Sequence, residues 1–380
     1  MKKCVIVSDS FKGTVSSEEI CAIAQRVIPK HFKNCEIVSI PVADGGEGTV
    51  NCFVQAMGAQ PVEVIVTNAL GVKTPAAYAR LGELAIIEMA AAAGLPQVGK
   101  NLCPGTATTY GVGELIRHAV SSGCSRILLG LGGSATNDGG CGCAAALGVR
   151  FFDCKGAEFI PAGDTLELID NIDVSAAQEL LRGIEITIMC DVTNPLYGPN
   201  GAAYIFGPQK GADAEKIKIL DAGLRHFGAV LSDKLGKDVA DMPGAGAAGG
   251  MGAGCVAMLG GKIRSGIDAV LDVTGFDRQL DGADLVITGE GRVDSQSVGG
   301  KVISGVAKRT KAKGVPLIAI AGGIDDSAAA VYDIGVSAVF GTDRAALPID
   351  KLVNRSVRDY EATMNDIMSL IKLAEGFARE

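Results

Sequence analysis

Short apolar runs that end in polar, glycine-rich loops and lead into helices recur along this sequence, and no other feature restricts the fold as much. Each run has the length and apolar character of a strand buried on both faces of a parallel sheet. Alternation of such strands with helices predicts right-handed βαβ crossovers. The runs comprise residues 3–7, 36–40, 285–287, 315–321 and 338–340.

The pattern changes after residue 60. Residues 62–67 alternate between apolar and polar positions, and two further short strands follow at 73–80 and 83–88, with Gly71 and Gly82 at the breaks. Alternation with glycine at the turns is typical of an antiparallel or mixed sheet. A second sheet is therefore predicted here.

Together these patterns predict an α/β protein with two domains, because 380 residues exceed one ordinary hydrophobic core. The first is a Rossmann-like parallel-sheet domain, discontinuous in sequence, formed by residues 1–68 and 284–380. A second α/β domain of mixed sheet, residues 69–283, is inserted into it. We expect the active cleft between the two domains.

Composition excludes several classes of partner. The net charge is −8 without a basic run, only 4% of residues are aromatic and Trp is absent, which disfavours nucleic acid and a membrane surface. No apolar segment has the length of a signal peptide core or a membrane span, so we expect a cytoplasmic protein with a small-molecule substrate. The 11 cysteines lie mostly in apolar runs, where buried side chains are expected.

The stretch 284–308 contains a strand, a polar glycine loop and a helix start in close succession. Ligands of open α/β sheets bind outside the carboxyl ends of the strands. Glycines in such a loop let the backbone approach a ligand closely. The candidate residues of this loop are Gly289, Glu290, Gly291, Arg292, Asp294, Ser295 and Lys301.

Asp191 is the strongest single catalytic candidate. It follows an alternating, β-branched strand at 184–190 and precedes Asn194 and the rigid Pro195. A carboxylate fixed at a strand end can act as a general base or a metal ligand. Asn194 is close enough in sequence to orient it.

A dinucleotide fingerprint offers a rival interpretation. Gly130, Gly132 and Ala135 have fingerprint spacing after a strand, and Asp153 follows about twenty residues later. However, polar residues 136–138 occupy the place where the fingerprint helix should already have begun. The repeated glycine loops with charged residues at strand ends also suit phosphoryl transfer, which depends on positioning and charge neutralisation.

Seven glycine-rich or polar motifs follow one another along the chain, at residues 9–14, 43–49, 132–140, 190–196, 206–211, 243–252 and 288–297. In this order, and over essentially the whole chain, they resemble the motifs of the type I glycerate kinases. This resemblance implies ATP- and Mg²⁺-dependent phosphorylation of D-glycerate, with the 2-hydroxyl as acceptor, and it supports a two-domain α/β fold with a Rossmann-like half.

On this basis we predict the roles of the site residues. The catalytic residues are Asp191, Lys12 and Arg292. Nucleotide is predicted to contact Gly132, Gly133, Ser134, Asn137, Gly289, Gly291, Ser295 and Lys301. Glycerate is predicted to contact Ser10, Asp44, Glu47 and Lys210. The predicted Mg²⁺ ligands are Asp191, Glu290 and Asp294.

Two other functions stay open from the sequence. An NAD-dependent oxidoreductase of a small hydroxy acid would use the fingerprint glycines, and nucleotide preference distinguishes it from a kinase. A non-catalytic small-acid binding protein would share the two-domain cleft but show no turnover. The sequence also leaves open whether the protein forms a homo-oligomer.

Overall fold

The computed structural model describes residues 1–11, 13–42, 48–299 and 301–377. The chain folds as two compact units. The first unit comprises Met1–Asp44 and Ile267–Glu380, and the second comprises Gly45–Gly266. The second unit is thus inserted in sequence between the two parts of the first.

The strands, in chain order, are β1 (Lys3–Ser8), β2 (Glu36–Pro41), β3 (Gln60–Thr67), β4 (Lys73–Leu81), β5 (Leu84–Glu88), β6 (Arg126–Gly130), β7 (Arg150–Phe152), β8 (Glu158–Phe159), β9 (Asn171–Asp173), β10 (Glu185–Met189), β11 (Lys262–Arg264), β12 (Leu285–Val293), β13 (Leu317–Ile324) and β14 (Ala338–Gly341).

The α-helices are α1 (Ser17–His31), α2 (Thr49–Met57), α3 (Ala90–Ala93), α4 (Leu95–Val98), α5 (Tyr110–Ser121), α6 (Cys141–Ala146), α7 (Ser175–Leu180), α8 (Ala202–Phe206), α9 (Ala214–Leu235), α10 (Ala247–Leu259), α11 (Gly266–Val273), α12 (Phe276–Gln279), α13 (Val302–Lys313), α14 (Ala330–Asp333), α15 (Ile349–Val353) and α16 (Ser356–Phe377).

The sheet of the first unit, called here the first sheet, is parallel throughout and has the strand order β14-β13-β12-β1-β2. Residues 4–7 of β1 are fully buried, as the apolar run predicts. From β1 the chain moves outward to β2, whereas from β12 it moves outward in the opposite direction to β14. The switch point, where open α/β sheets bind their ligands, therefore lies between β1 and β12.

Helix α1 shows how local sequence fixes the first unit. Ser16 Oγ accepts a hydrogen bond from the Glu19 amide, and the Glu19 carboxylate accepts one from the Ser16 amide, both at 3.1 Å, so the two residues form a capping box. Ile20, Ile23 and Val27 are buried in the core of the unit, and α1 packs against α16.

The sheet of the second unit, called here the second sheet, is mixed and has the order β11-β10-β6-β5-β4-β3. The pairs β3–β4 and β4–β5 are antiparallel, and the remaining pairs are parallel. Gly71 and Gly82 lie at the two hairpin turns with φ of 80° and 60°, a conformation that favours glycine. The predicted parallel and mixed sheets are both confirmed.

A small sheet in the second unit has the order β8-β7-β9, and both its pairs are antiparallel. Asp153 follows β7 in this sheet, and its Oδ1 accepts the amides of Lys155 and Ala157 at 2.8 Å each. Asp153 therefore shapes the β7–β8 turn. It does not follow a strand of the second sheet, where a dinucleotide fingerprint would require it.

The boundaries of the two units differ from the predicted domain boundaries at 68 and 284. Strand β3 pairs with β4 along its whole length, so it belongs to the second unit. Helices α11 and α12 belong to the first unit, because Arg309 of α13 binds Asp268, Asp272 and Asp277 at 3.3, 2.7 and 3.2 Å. Within the ranges that the structure describes, no helix is long and apolar enough to cross a membrane.

Candidate functional site

The carboxyl ends of β1 and β12 lie side by side at the switch point of the first sheet. Ser8 pairs with Gly289, and the Asp9 amide donates to the Gly289 carbonyl oxygen at 2.9 Å. Asp9 Oδ1 in turn accepts the Ser10 amide at 2.7 Å. Ser10, a predicted substrate residue, is thus held at the edge where such sheets bind ligands.

Strand β12 is longer than predicted. It was expected to end after three residues, but it continues to Val293 in register with β13. A Cβ on Gly289 would lie 2.3 Å from the Ile320 carbonyl oxygen, so glycine is required for β13 to approach. The predicted glycine loop is therefore a strand, and contact of Gly289 and Gly291 with the nucleotide stays a prediction.

Arg292 is exposed at the carboxyl end of the first sheet and paired with a carboxylate. Its Nη2 donates to Asp325 Oδ2 at 2.6 Å, and its Nε lies 3.9 Å from Asp294 Oδ2. The Ser327 amide and hydroxyl donate to Asp325 Oδ1 at 3.1 and 2.8 Å. These bonds from Ser327, and then the one from Arg292, lower the pKa of Asp325 to about 2. The Arg292 side chain is 66% exposed and so stays open to solvent.

Three more predicted site residues of the first unit lie along the same edge. Glu290 is buried within β12, Lys301 is exposed as the N-cap of α13, and the Ser295 amide donates to Ser327 Oγ at 3.0 Å. Asp294 is half-buried, and its amide donates to Ser297 Oγ at 3.2 Å. The first unit therefore gathers its predicted residues at the end of β12.

No metal cluster is evident in the part of the chain that the structure describes, since no group of three or more His, Cys, Asp or Glu side chains could hold an ion there. Mg²⁺ is usually held by one or two carboxylates together with substrate phosphates. The metal roles of Asp191, Glu290 and Asp294 stay predictions.

In the second unit, Asp191 follows β10 and is anchored by the chain beyond β11. Its Oδ1 accepts the Gly266 amide at 2.9 Å, and the neighbouring Cys190 amide donates to the Arg264 carbonyl oxygen at 3.0 Å. Asn194 does not provide the expected orientation through its amide nitrogen, which donates instead to the Asn200 carbonyl oxygen at 2.8 Å. The Gly266 amide is one group that fixes Asp191, and the residue is exposed to solvent.

Glu88 is a candidate that sequence reasoning missed. It ends β5, is paired with Gly130 of β6, and its Oε1 accepts the Val50 amide at 2.6 Å in the first turn of α2. The available signal was a carboxylate that directly follows a buried apolar run, as Asp191 does. Glu88 and Asp191 thus lie on strands that flank β6 on its two sides.

The loop after β6 turns inward and carries a buried carboxylate. Asp138 Oδ2 accepts the Thr109 amide and hydroxyl at 2.8 Å each and the Gly142 amide at 3.2 Å, while Oδ1 accepts the Gly140 amide at 3.1 Å. Burial nevertheless raises the pKa of Asp138, and these hydrogen bonds oppose that rise. Neither Thr109 nor Asp138 was among the predicted site residues, because nothing in the sequence shows that this polar loop is buried.

Lys210 enters the same interior from the segment after α8. It is only 2% exposed, and its Nζ donates to Ser134 Oγ at 2.6 Å and to the Thr136 carbonyl oxygen at 2.7 Å. Burial lowers the pKa of Lys210 to about 7, and the negative charge of Asp138 counteracts part of this effect. Lys210, a predicted glycerate contact, is therefore hydrogen-bonded to the glycine loop that was predicted to bind nucleotide.

The glycine-rich segment that begins α10 covers this loop. Ala248, Gly249 and Gly250 have left-handed φ values of 52°, 68° and 90° inside the helix. A Cβ on Gly249 would lie 2.1 Å from the Thr136 carbonyl oxygen. The glycine-rich motif at 243–252 is thus a buried backbone cover, and strain of this kind is usually retained at functional sites.

Asn137 and Thr136 have buried polar atoms without a partner. Both side-chain amide atoms of Asn137 and the Thr136 hydroxyl lack a hydrogen-bond partner among the described residues. Such atoms cost free energy unless water or a ligand satisfies them. These atoms can therefore bind a ligand or internal water.

Gly132 and Gly133, by contrast, lie at the surface end of the loop. Gly133 has a φ of 73°. Helix α6 begins only at Cys141, after the polar segment, so the loop lacks the immediate helix start of a dinucleotide site. Lys12, Asp44 and Glu47 lie outside the described residues.

The motifs at 132–140, 190–196, 206–211 and 243–252 meet within the second unit. Besides the Lys210 contacts, the Gly246 amide donates to the Asn194 carbonyl oxygen and the Gly139 amide to the Gly249 carbonyl oxygen, both at 3.0 Å. Four of the seven motifs are thus parts of one packed cluster. The motif at 288–297 and the described part of that at 9–14 lie together at the edge of the first sheet.

Comparison with known proteins gives a consistent result. Residues 4–372 match the model of the glycerate kinase family. The chain is 45% identical to a glycerate kinase of Bacillus cereus over 98% of both chains, and 44% identical to a glycerate 2-kinase of Escherichia coli over 89% of this chain and 90% of that one. A crystal structure from Salmonella typhimurium LT2, labelled glycerate kinase 2, superposes with a TM-score of 0.88 at 39% identity and 99% coverage of both chains.

Proposed function

Since the chain belongs to the glycerate kinase family and is therefore a kinase, we propose that it transfers the γ-phosphoryl group of ATP to the 2-hydroxyl of D-glycerate, with Mg²⁺. The products are ADP and 2-phosphoglycerate. The observation that carries this proposal is the family match over residues 4–372. The E. coli relative, named a glycerate 2-kinase, supports the choice of hydroxyl.

Asp191 is proposed as the general base. A hydroxyl is a weak nucleophile at neutral pH, so a carboxylate must accept its proton as the bond to phosphorus forms. The hydrogen bond from the Gly266 amide to Oδ1 holds Asp191 at the sheet edge, where the residue is exposed to solvent. The proton passes from the glycerate hydroxyl to Asp191, and the phosphoryl group passes from ATP to that oxygen.

The cations predicted near phosphate are Arg292, Lys301 and Lys12. Arg292 is exposed and Lys301 caps α13, so both can approach the anionic groups of a ligand at the carboxyl end of β12. Charge neutralisation by such groups is the main protein contribution to phosphoryl transfer. The cleft between the two predicted domains stays a prediction.

ATP and Mg²⁺ fit the chemistry of these edges. Gly132 and Gly133 present backbone near the surface, where nucleotide phosphates can be bound without a Cβ clash. The oxygen ligands that Mg²⁺ prefers would be supplied by Glu290 and Asp294, or by Asp191 if it binds the metal instead of accepting the proton. When bound, the metal would neutralise charge on the transferred phosphoryl group.

A coupled assay of ADP release with D-glycerate, ATP and Mg²⁺ tests the proposal. We expect turnover that requires all three, and phosphorus NMR of the product should show a 2-phosphate. Absence of ADP release together with reduction of NAD by a hydroxy acid would refute the kinase. A 3-phosphate signal would change only the position of the phosphate.

The two alternatives gain no support. The place of Asp153 in the small sheet and the late start of α6 do not match a dinucleotide site. A non-catalytic binding protein would bind glycerate without releasing ADP, which the same assay measures.

A further inference from the structure

The interior around Lys210 contains buried polar groups that lack hydrogen-bond partners. The Lys210 ammonium group has three protons, and two of them reach Ser134 Oγ and the Thr136 carbonyl oxygen. Within the described ranges no acceptor for the third proton is present. Asn137 Nδ2 and the Thr136 hydroxyl, which can donate, and Asn137 Oδ1, which can only accept, also lack a partner in the same part of the chain.

Asp138 is the charged group that faces Lys210, and it does not satisfy these donors. Its two oxygens already accept four hydrogen bonds, from Thr109, Gly140 and Gly142. The unpartnered donors on Lys210, Thr136 and Asn137 therefore remain together with one unpartnered acceptor, Asn137 Oδ1. A small hydroxy acid, with carboxylate oxygens that accept and a hydroxyl that can donate, would complete the cluster.

We propose that Lys210, Thr136 and Asn137 form a closed subsite for the carboxylate of the small hydroxy acid, an inference that rests on the proposed glycerate kinase function. A carboxylate provides two acceptor oxygens and no donors. Charge-assisted hydrogen bonds of this type are about twice as strong as neutral ones. Ser134, which is 6% exposed and bonded to Lys210, marks where the cluster reaches the surface loop at Gly132 and Gly133.

This assignment changes the predicted role of two residues. Ser134 and Asn137 were predicted to bind nucleotide, whereas here they belong with Lys210 to the acid. The half-buried Gly132 and the exposed Gly133 keep their proposed contact with phosphate. The loop after β6 would then hold the acid with its buried part and the nucleotide with its surface part.

Two conservative variants test the subsite, because each removes atoms that lack a protein partner. Asn137→Leu and Thr136→Val are expected to fold as stably as wild type or better, since a buried unsatisfied polar group is lost. We expect KM for glycerate to rise roughly tenfold or more in Asn137→Leu and less in Thr136→Val. KM for ATP should stay near the wild-type value in both. Asn171→Leu, at an exposed position in β9, is the matched control.

The outcomes are distinct. A folded Asn137→Leu enzyme with unchanged KM for glycerate would mean that internal water satisfies these atoms, and the proposal would be overturned. A rise in KM for ATP alone would assign the subsite to phosphate and overturn it equally. If Asn137→Leu does not fold, Thr136→Val decides. Failure of the proposed function is separate, because wild type would then release no ADP with glycerate.

Proton uptake gives an independent readout. A carboxylate beside Lys210 favours its charged form, so glycerate binding at pH 8 should take up nearly one proton if the pKa of the lysine is about 7 before binding. Calorimetric titration of glycerate in two buffers of different ionisation enthalpy measures this number. We expect uptake in wild type and none in Lys210→Met. Wild-type binding without proton uptake would contradict the subsite.

Discussion

Replacing Lys210 by Met should change how the stability of the second unit depends on pH. Met has a similar length and carries no charge, so it occupies the same buried space without the ammonium group. Burial holds the pKa of Lys210 at about 7, against 10.5 for an unburied lysine. Between these two values the unfolded chain binds a proton that the folded protein does not.

The sign and size of the effect follow from this difference. Stability rises with pH wherever the unfolded state binds more protons, by up to about 1.4 kcal/mol per pH unit for one group. Lys210 should therefore add about 2 kcal/mol to the free energy of unfolding between pH 7 and pH 9, and little below pH 6. Buried thiols such as Cys21, whose pKa is raised to about 11, act in the opposite direction. They are present in both proteins and cancel in the comparison.

Urea unfolding at pH 7, 8 and 9, read by pulsed hydrogen exchange and mass spectrometry, follows peptides of the second unit separately from those of the first. Near pH 7 the free energy of unfolding of the variant should differ little from that of wild type. The variant loses the two hydrogen bonds of Lys210, but it also avoids the free-energy cost of burying a charged group. Between pH 7 and pH 9 the free energy of unfolding of the variant should fall by about 2 kcal/mol relative to that of wild type. Lys237→Met, at an exposed lysine, should keep the wild-type pH dependence. Parallel curves for wild type and Lys210→Met would refute the reasoning.

Three further changes test other parts of the structure. Asp191→Asn should lower kcat by about a hundredfold to ten-thousandfold at unchanged melting temperature, because it removes a proton acceptor but keeps its shape; near-normal kcat would exclude Asp191 as the base. Gly249→Ala should destabilise by several kcal/mol in urea unfolding, since its Cβ would lie 2.1 Å from the Thr136 carbonyl oxygen, whereas Gly198→Ala, with no atom within 4 Å, should cost about 1 kcal/mol; equal costs would contradict the cover described for α10. Ser16→Ala should cost about 1 kcal/mol through loss of the cap on α1 and leave kcat unchanged, which thermal melting and the ADP assay measure together.

Periodic segments of the sequence predicted the fold closely. The amphipathic pattern of residues 214–235 and of residues 302–313 predicts helices over these ranges, and α9 and α13 have the same limits, because periodicity and caps are local properties. Strand β12 was predicted too short, because its glycines indicate a loop unless the neighbouring β13 is known. A Cβ clash with a partner strand is a tertiary property that no local pattern contains.

The site shows the same limit. Polar residues at strand ends, such as Asp191 and Ser10, could be identified because the carboxyl ends of parallel strands are known to meet. The burial of Asp138 and Lys210 could not, because glycine-rich and polar segments are usually exposed loops. Only the packing of α10 over residues 136–139 turns that loop into an interior site.

The discontinuity of the first unit has a consequence for synthesis of the chain. Strand β1 needs β12 as its second neighbour, and the two are separated by the whole inserted unit. Roughly 240 residues lie between the end of β2 and the start of β12. At about 5–20 residues translated per second, β1 and β2 therefore lack their partner strand β12 for on the order of ten seconds or more. The inserted unit can complete its own sheet during that interval. The apolar residues 4–7 of β1 meanwhile lie on a strand with an open edge, which makes the newly made amino-terminal segment a candidate for chaperone binding on the ribosome.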